Sequence, residues 1–366
     1  MEAQAMEKWD VELAGMPQFA RAMERIEAWY AGEILDRAPV RFSVRRPAVS
    51  APPLPPRDWP SLRARWMDIE YRVESYLRRV EGRTFAAESF PVFFPDLGPG
   101  IYAALFGCPL LFGEGTSWTE PCLEEAGDAR ALQVDWQNEY LRTIDAMTDY
   151  ALARCKGHAL VGYTDLHPGL DCVADWRDPE RLCFDLYDDP EGVEVALRKA
   201  DEGFLPVYDY FHDRLRAHGQ PSVSWIGIPS FGKMHIPSCD FTTMISPEQF
   251  RRFCLPSVLH EVRAMTHNIW HLDGEGCARH LDDLLQIPEI QAIQWVQGAG
   301  RNEPIMPWVP LIHRILAAGK SVVVGLRGHE VEPFMQAVPA KGVLLCVDVD
   351  DEAEQDALLR RIERWR

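Results

Sequence analysis

Short apolar runs alternate with segments of helical period over most of the chain. The runs 39–44, 90–94, 159–163, 222–226, 269–272, 292–296, 321–326 and 342–347 are brief, and several are rich in Val and Ile, as suits strands covered on both faces. Between them Trp136, Tyr140, Ile144, Met147 and Ala151 recur at spacings of three and four. Phe250, Phe253, Val258 and Val262 do roughly the same, as do Leu358, Leu359, Ile362 and Trp365, so each set predicts an amphipathic helix. Helix starts are legible as well. Ser246-Pro247-Glu248-Gln249 offers a hydroxyl cap, a proline in the first turn and a glutamine three residues on, and Asp178-Pro179-Glu180 and Asp189-Pro190-Glu191 repeat the device.

The proline-rich stretch 47–60 suits neither helix nor central strand and reads as a stiff exposed loop. After Ser222 the order is strand then helix, five times over. Short strand-helix links force parallel pairing, and eight such units close into a (β/α)8 barrel. An open doubly wound sheet would favour a glycine-rich turn after the first strand, where this chain has Arg45-Arg46-Pro47. The expectation is one α/β barrel domain over residues 1–366, with residues 1–37 as an N-terminal helical extension.

Charge narrows the partners. With 38 basic and 56 acidic residues the 366-residue chain carries −18, which repels nucleic acid and anionic lipid. Residues 1–10 are polar and acidic without an apolar leader core, and no run approaches the about 18 apolar residues of a membrane span, so a cytoplasmic protein is expected. The nine cysteines are scattered without a CxxC pair and read as reduced thiols.

In a barrel the chemistry sits at the carboxyl ends of the strands. The fifth candidate strand ends Trp270-His271-Leu272-Asp273-Gly274, where strand period aims His271 and Asp273 to one side. The eighth ends Leu344-Leu345-Cys346-Val347-Asp348. His271, Asp273 and Cys346 would offer nitrogen, oxygen and sulfur to an ion such as zinc, with a fourth position left for water or substrate. The loop 231–241 carries His235, Cys239 and Asp240; Asp240 is the candidate acid, base or orienter, and His235 a candidate substrate contact. Tyr163, ahead of Asp165-Leu166-His167-Pro168-Gly169, and the stretch 94–100 are candidate pocket wall. Arg327 and Arg45 are candidates for gripping an anionic substrate. The tryptophans suit a core better than a stacking surface, with Trp225 retained as a candidate substrate contact.

Asp240-Phe241 followed by Ile245-Ser246-Pro247-Glu248-Gln249-Phe250 and Leu255-Pro256, and then His271-Leu272-Asp273-Gly274, resembles the uroporphyrinogen decarboxylase superfamily. Residues 107–121, Leu186-Tyr187-Asp188-Asp189-Pro190-Glu191 and Ile293-Gln294-Trp295-Val296-Gln297-Gly298-Ala299-Gly300 extend the resemblance, which is strongest to the cobalamin-dependent methyltransferase-like branch, with the proteins labelled trimethylamine corrinoid protein 2. It implies one (β/α)8 barrel with an N-terminal extension. The Arg-Gln-Ala-Gly-Arg motif of the true decarboxylases has no counterpart, so porphyrinogen decarboxylation is not expected. In the related methyltransferases zinc is held by His-x-Cys and a later Cys; by resemblance His271 takes the place of the His, Asp273 replaces the first Cys, and Cys346 lies where the second would be. A carboxylate in place of a thiolate hardens such a site. The cobalt-binding pattern Asp-x-His-x-x-Gly is not matched by Asp165-Leu166-His167-Pro168-Gly169, so any cobalamin would be carried by a separate corrinoid protein.

These readings converge on a zinc-dependent methyltransferase moving a methyl group between a small methylated substrate and a corrinoid protein. A metal-assisted lyase or decarboxylase acting on a small carboxylated substrate is the rival, and a non-catalytic binding module the third possibility.

Overall fold

The computed structural model describes residues 11–298 and 304–365. Residues 1–10 and the Ala299-Gly300 end of one quoted run lie outside the described residues. Among the described residues there are ten strands: β1 (Val40–Val44), β2 (Val92–Phe93), β3 (Leu110–Phe112), β4 (Ser117–Thr119), β5 (Leu160–Val161), β6 (Met234–His235), β7 (His267–Asp273), β8 (Ala292–Val296), β9 (Ser321–Arg327) and β10 (Val343–Val349). Six of them form a parallel sheet in the order β1-β10-β9-β8-β7-β6, curled into a half-barrel with helices around it. β2 and β5 make a separate parallel pair, and β3 and β4 an antiparallel hairpin. The repeat of strand and helix holds from β6 to the last helix, Glu352–Ile362, because each parallel neighbour needs a crossover.

The fourth candidate strand is corrected. Residues 222–226 join no ladder; Ser222 only bridges to Ser230, and the strand paired with β7 is Met234–His235. Pro221, Pro229 and Gly227, at φ +63°, turn this backbone on itself before a ladder can form. The hairpin β3–β4 has no counterpart in the sequence reading, and of the 28-residue helix Pro190–Ala217 only the start at Asp189-Pro190-Glu191 is legible there.

The caps form as their residues dictate. Ser246 Oγ accepts from the Gln249 amide at 3.2 Å and Gln249 Oε1 from the Ser246 amide at 3.1 Å. Asp178 and Asp189 accept from the first-turn amides of Glu180, at 2.9 Å, and Gly192, at 3.1 Å. In the helical run 247–262, residues 250–254 widen to a π-turn ahead of Pro256, which has no N–H to offer the preceding turn. Stretch 47–60 contains neither helix nor strand.

The N-terminal segment is part of the core. Helix Phe19–Tyr30 buries Phe19, Ala22, Met23, Ile26, Trp29 and Tyr30, a stripe at spacings of three and four. Trp29 Nε1 donates to Gly342 O at 3.1 Å, Ser321 Oγ to Trp29 O at 2.7 Å, and Tyr30 stacks on His267 at 4.0 Å. Those partners precede or begin β10, β9 and β7, so the helix floors the amino end of the sheet and leaves the carboxyl end open. No helix among the described residues is long and apolar enough to cross a membrane.

Candidate metal centre

On β7, Trp270 and Leu272 are buried against the helix layer while His271 and Asp273 alternate to the other face and stay half-exposed. The loop after β6 runs beside them, with the His271 amide donating to Pro237 O at 3.0 Å and Ser238 bridging to His271. It ends in the short turn Asp240–Met244. Asp171, on helix Gly169–Arg177, pins that turn: its two carboxylate oxygens accept from the amides of Asp240, at 3.0 Å, and Phe241, at 2.9 Å.

The result is a cluster of Asp240, His271 and Asp273 whose ligating atoms lie within 4.8 Å of one another. Two further observations fit a cation. Asp273 Oδ1 is buried without a hydrogen-bond partner, a costly state for a carboxylate oxygen unless something positive satisfies it. His271 Nδ1 lies 2.8 Å from Gln294 Oε1 on β8. An amide oxygen only accepts, so Nδ1 carries the proton and the Nε2 lone pair is left for a metal. Trp225 packs edge-to-face on the same imidazole, centroids 5.0 Å apart. Burial and the charge of Asp171 raise the pKa of Asp240, and His271 opposes the rise.

Two clefts meet at this cluster. One, of about 660 Å³, is lined by Asp240, Thr243, Asp273, Cys277, Arg279 and Gln297 among others. The other, of about 500 Å³, includes Asp240, His271, Trp225, Trp118, His167 and Asp175. His167 Nε2 sits 2.8 Å from Asp165 Oδ1; burial pulls the imidazole down, but Asp165 outweighs it and holds it at about 9. Burial pushes Asp175 up to about 6 despite the hydrogen bond from Thr119 Oγ1 at 2.7 Å.

The other candidates are dispersed. Cys346 is not among the clustered ligands; it stands on β10 in register with Arg41 of β1, and burial raises its thiol pKa while Arg41 opposes the rise. A half-buried thiol beside a guanidinium on another strand leaves the described set with nitrogen and oxygen donors alone. His235 is buried behind the wall, Nε2 3.0 Å from Glu261 Oε2, and burial pushes the histidine well down and the glutamate well up. Tyr163 is buried beside it and donates to Met234 O at 3.0 Å. Cys239 Sγ donates to Asp171 at 3.5 Å. Arg327 and Arg45 line a different cleft, of about 530 Å³, with His329, Asp348, Asp350 and Glu354, and Arg45 already pairs with Asp350 at 3.2 Å. Gln294 and Asp171 are the contributors that sequence reasoning passed over. Each acts through a partner distant in sequence, and only strand register or helix docking reveals the pairing. Compared with known proteins, the sequence matches no family model and no curated protein.

Proposed function

We propose that the chain is a divalent-metal-dependent enzyme that transfers a methyl group between a small methylated substrate and a corrinoid carried on a separate protein. The observation that carries this reading is the pair of clefts that share Asp240, one lined also by Asp273 and the other by His271, which would give room for two bound partners beside the cluster. The fold expected of it is a closed eight-stranded barrel. In support, hydrogen bonds span the gaps beside the half-barrel, among them Glu88 N to Val40 O at 3.0 Å, Tyr163 N to Val223 O at 3.0 Å, and Met234 N to Ser222 Oγ at 3.3 Å.

His271, Asp273 and Asp240 would hold the ion. With two carboxylates and one imidazole the donor set suits zinc, manganese, iron or cobalt, and without sulfur it is harder than a thiolate site. A bound ion would polarise a substrate heteroatom or lower the pKa of a bound water or thiol. Gln294 fixes the tautomer and plane of His271. Asp165 keeps His167 protonated near neutrality, a fixed positive charge in the cleft wall. Asp175, titrating at about 6, gives or takes a proton close to physiological pH. Trp225 and Trp118 narrow access for water.

A metal-assisted lyase or decarboxylase is the second reading, favoured by the sulfur-free donor set and by Asp175 as an acid or base in the cleft. Purified protein is expected to bind one divalent ion per chain, to lose it in His271→Ala and Asp273→Asn, and to turn over only with an added methylcorrinoid protein. Turnover without any corrinoid would replace methyl transfer by the lyase. No bound ion, with His271→Ala fully active, would remove both.

A further inference from the structure

Strand register makes a mouth on the open face of the six-stranded sheet. Arg41, Cys346 and Gly325 stand side by side on β1, β10 and β9. These positions are reached by solvent, while their chain neighbours Phe42, Val347 and Leu326 are buried under the helices. His271 and Gln294, on β7 and β8, lie in the neighbouring row of the same face, in register with Val323, two residues before Gly325 on β9.

Arg41 is held by backbone rather than by a side chain of opposite charge. Its Nη1 donates to the Ile226 carbonyl, and its guanidinium lies against the backbone of Gly227, where a Cβ would come 2.9 Å from Nη2. The glycine thus serves both the turn at φ +63° and the close approach. The guanidinium has five N–H donors. Nε is buried without a partner, and among the described residues no carboxylate pairs with Arg41. In a chain with 56 acidic side chains, a part-buried cation left without one is costly unless a ligand supplies it. The room is there: a Cβ on Gly325 would meet nothing within 4 Å. Gly325 is two strands from Arg41, roughly 10 Å, which suits a small molecule. The bond to Ile226 also ties this position to the metal cluster, because the preceding residue, Trp225, packs on His271.

We propose that Arg41 anchors a carboxylate of the substrate in the open space over Gly325 and Cys346, within the mouth that carries His271 and Asp273. The inference rests on the reading of that mouth as the substrate side of a metal-dependent enzyme, and it adds the substrate class, a small carboxylate. Arg41 would contribute a charge-assisted contact; Gly325 would contribute the absence of a side chain.

Acetate, malonate, succinate and, as the rival oxyanion, inorganic phosphate are titrated into the full-length, metal-loaded protein by calorimetry. At least one carboxylate is expected to bind, and Arg41→Met to weaken it roughly ten- to a hundredfold, the effect of losing a charge-assisted contact. Gly325→Val keeps Arg41 and fills the space, so it is expected to lose the same binding while retaining wild-type metal content and melting temperature. That variant keeps the test decisive if Arg41→Met does not fold. Equal carboxylate affinity in wild type and Gly325→Val, no carboxylate binding to wild type, or binding of phosphate alone each overturns the proposal. Repeating the titration with chelator-treated protein separates the two readings: carboxylate binding that follows Arg41 in a chain that takes up no metal sustains this site and removes the metal-dependent one.

Discussion

His271 illustrates what a single residue owes to its neighbour. The imidazole is a usable ligand because Gln294 Oε1, 2.8 Å from Nδ1, commits the proton to that nitrogen and fixes the ring plane. Replacing Gln294 by Leu leaves Nδ1 unpaired and the ring free to turn. Metal affinity is expected to fall about ten- to a hundredfold, measured by competition with a chelating dye, with circular dichroism unchanged. An affinity equal to wild type would show that Gln294 does not orient the ligand. The clustering of His271 and Asp273 was legible from alternation, because two residues apart on a strand means the same face. Asp240 in the metal set was not, since its position depends on Asp171 holding the turn from a helix about seventy residues earlier. Cys346 shows the opposite case: a strand-end position is necessary for a shared centre, but which strand ends converge depends on sheet order.

At the scale of elements, local chemistry predicts starts better than extents. Ser246, Asp178 and Asp189 cap the helices their sequences announce, because a cap is decided within four residues. Ser246→Ala is expected to cost about 1 kcal/mol, read as a lower urea midpoint with an unchanged m-value. No change in midpoint would mean that the cap is replaced by solvent at no cost. Strands depend on partners instead. The apolar run 222–226 has strand composition but lies between turns and pairs with no ladder, whereas Met234-His235, too short to stand out, finds β7. Trp136 belongs by spacing to the helix that begins at Glu139, but it precedes the cap Asn138 and stays exposed.

At the scale of the whole molecule, the N-terminal helix and the sheet are coupled through His267 at the first position of β7, stacked on Tyr30 and 2.7 Å from Ser230 Oγ. Burial lowers its pKa from 6.5 to about 4. Above 6.5 both folded and unfolded chains hold it neutral; as the pH falls from 6.5 towards 4 only the unfolded chain takes up the proton, so stability is lost over that window, by up to about 3 kcal/mol. Unfolding free energies at pH 7.5 and 4.5 are expected to differ more in wild type than in His267→Phe by that amount. Equal pH dependence in the two would show that His267 is not the coupled group.

The sequence by itself determined the alternating strand and helix order of the second half, the caps, the acidic surface that disfavours polyanions, and the shared face of His271 and Asp273. Each of these follows from interactions within a few residues or from simple sums over the chain. Tertiary structure decided that Asp240 joins His271 and Asp273 while Cys346 stays with Arg41, that residues 19–30 form a floor, and that Arg41, without a carboxylate partner among the described residues, stands across β10 from the open position Gly325. Those outcomes depend on register and on contacts between residues tens to hundreds of positions apart, which side-chain periodicity does not encode.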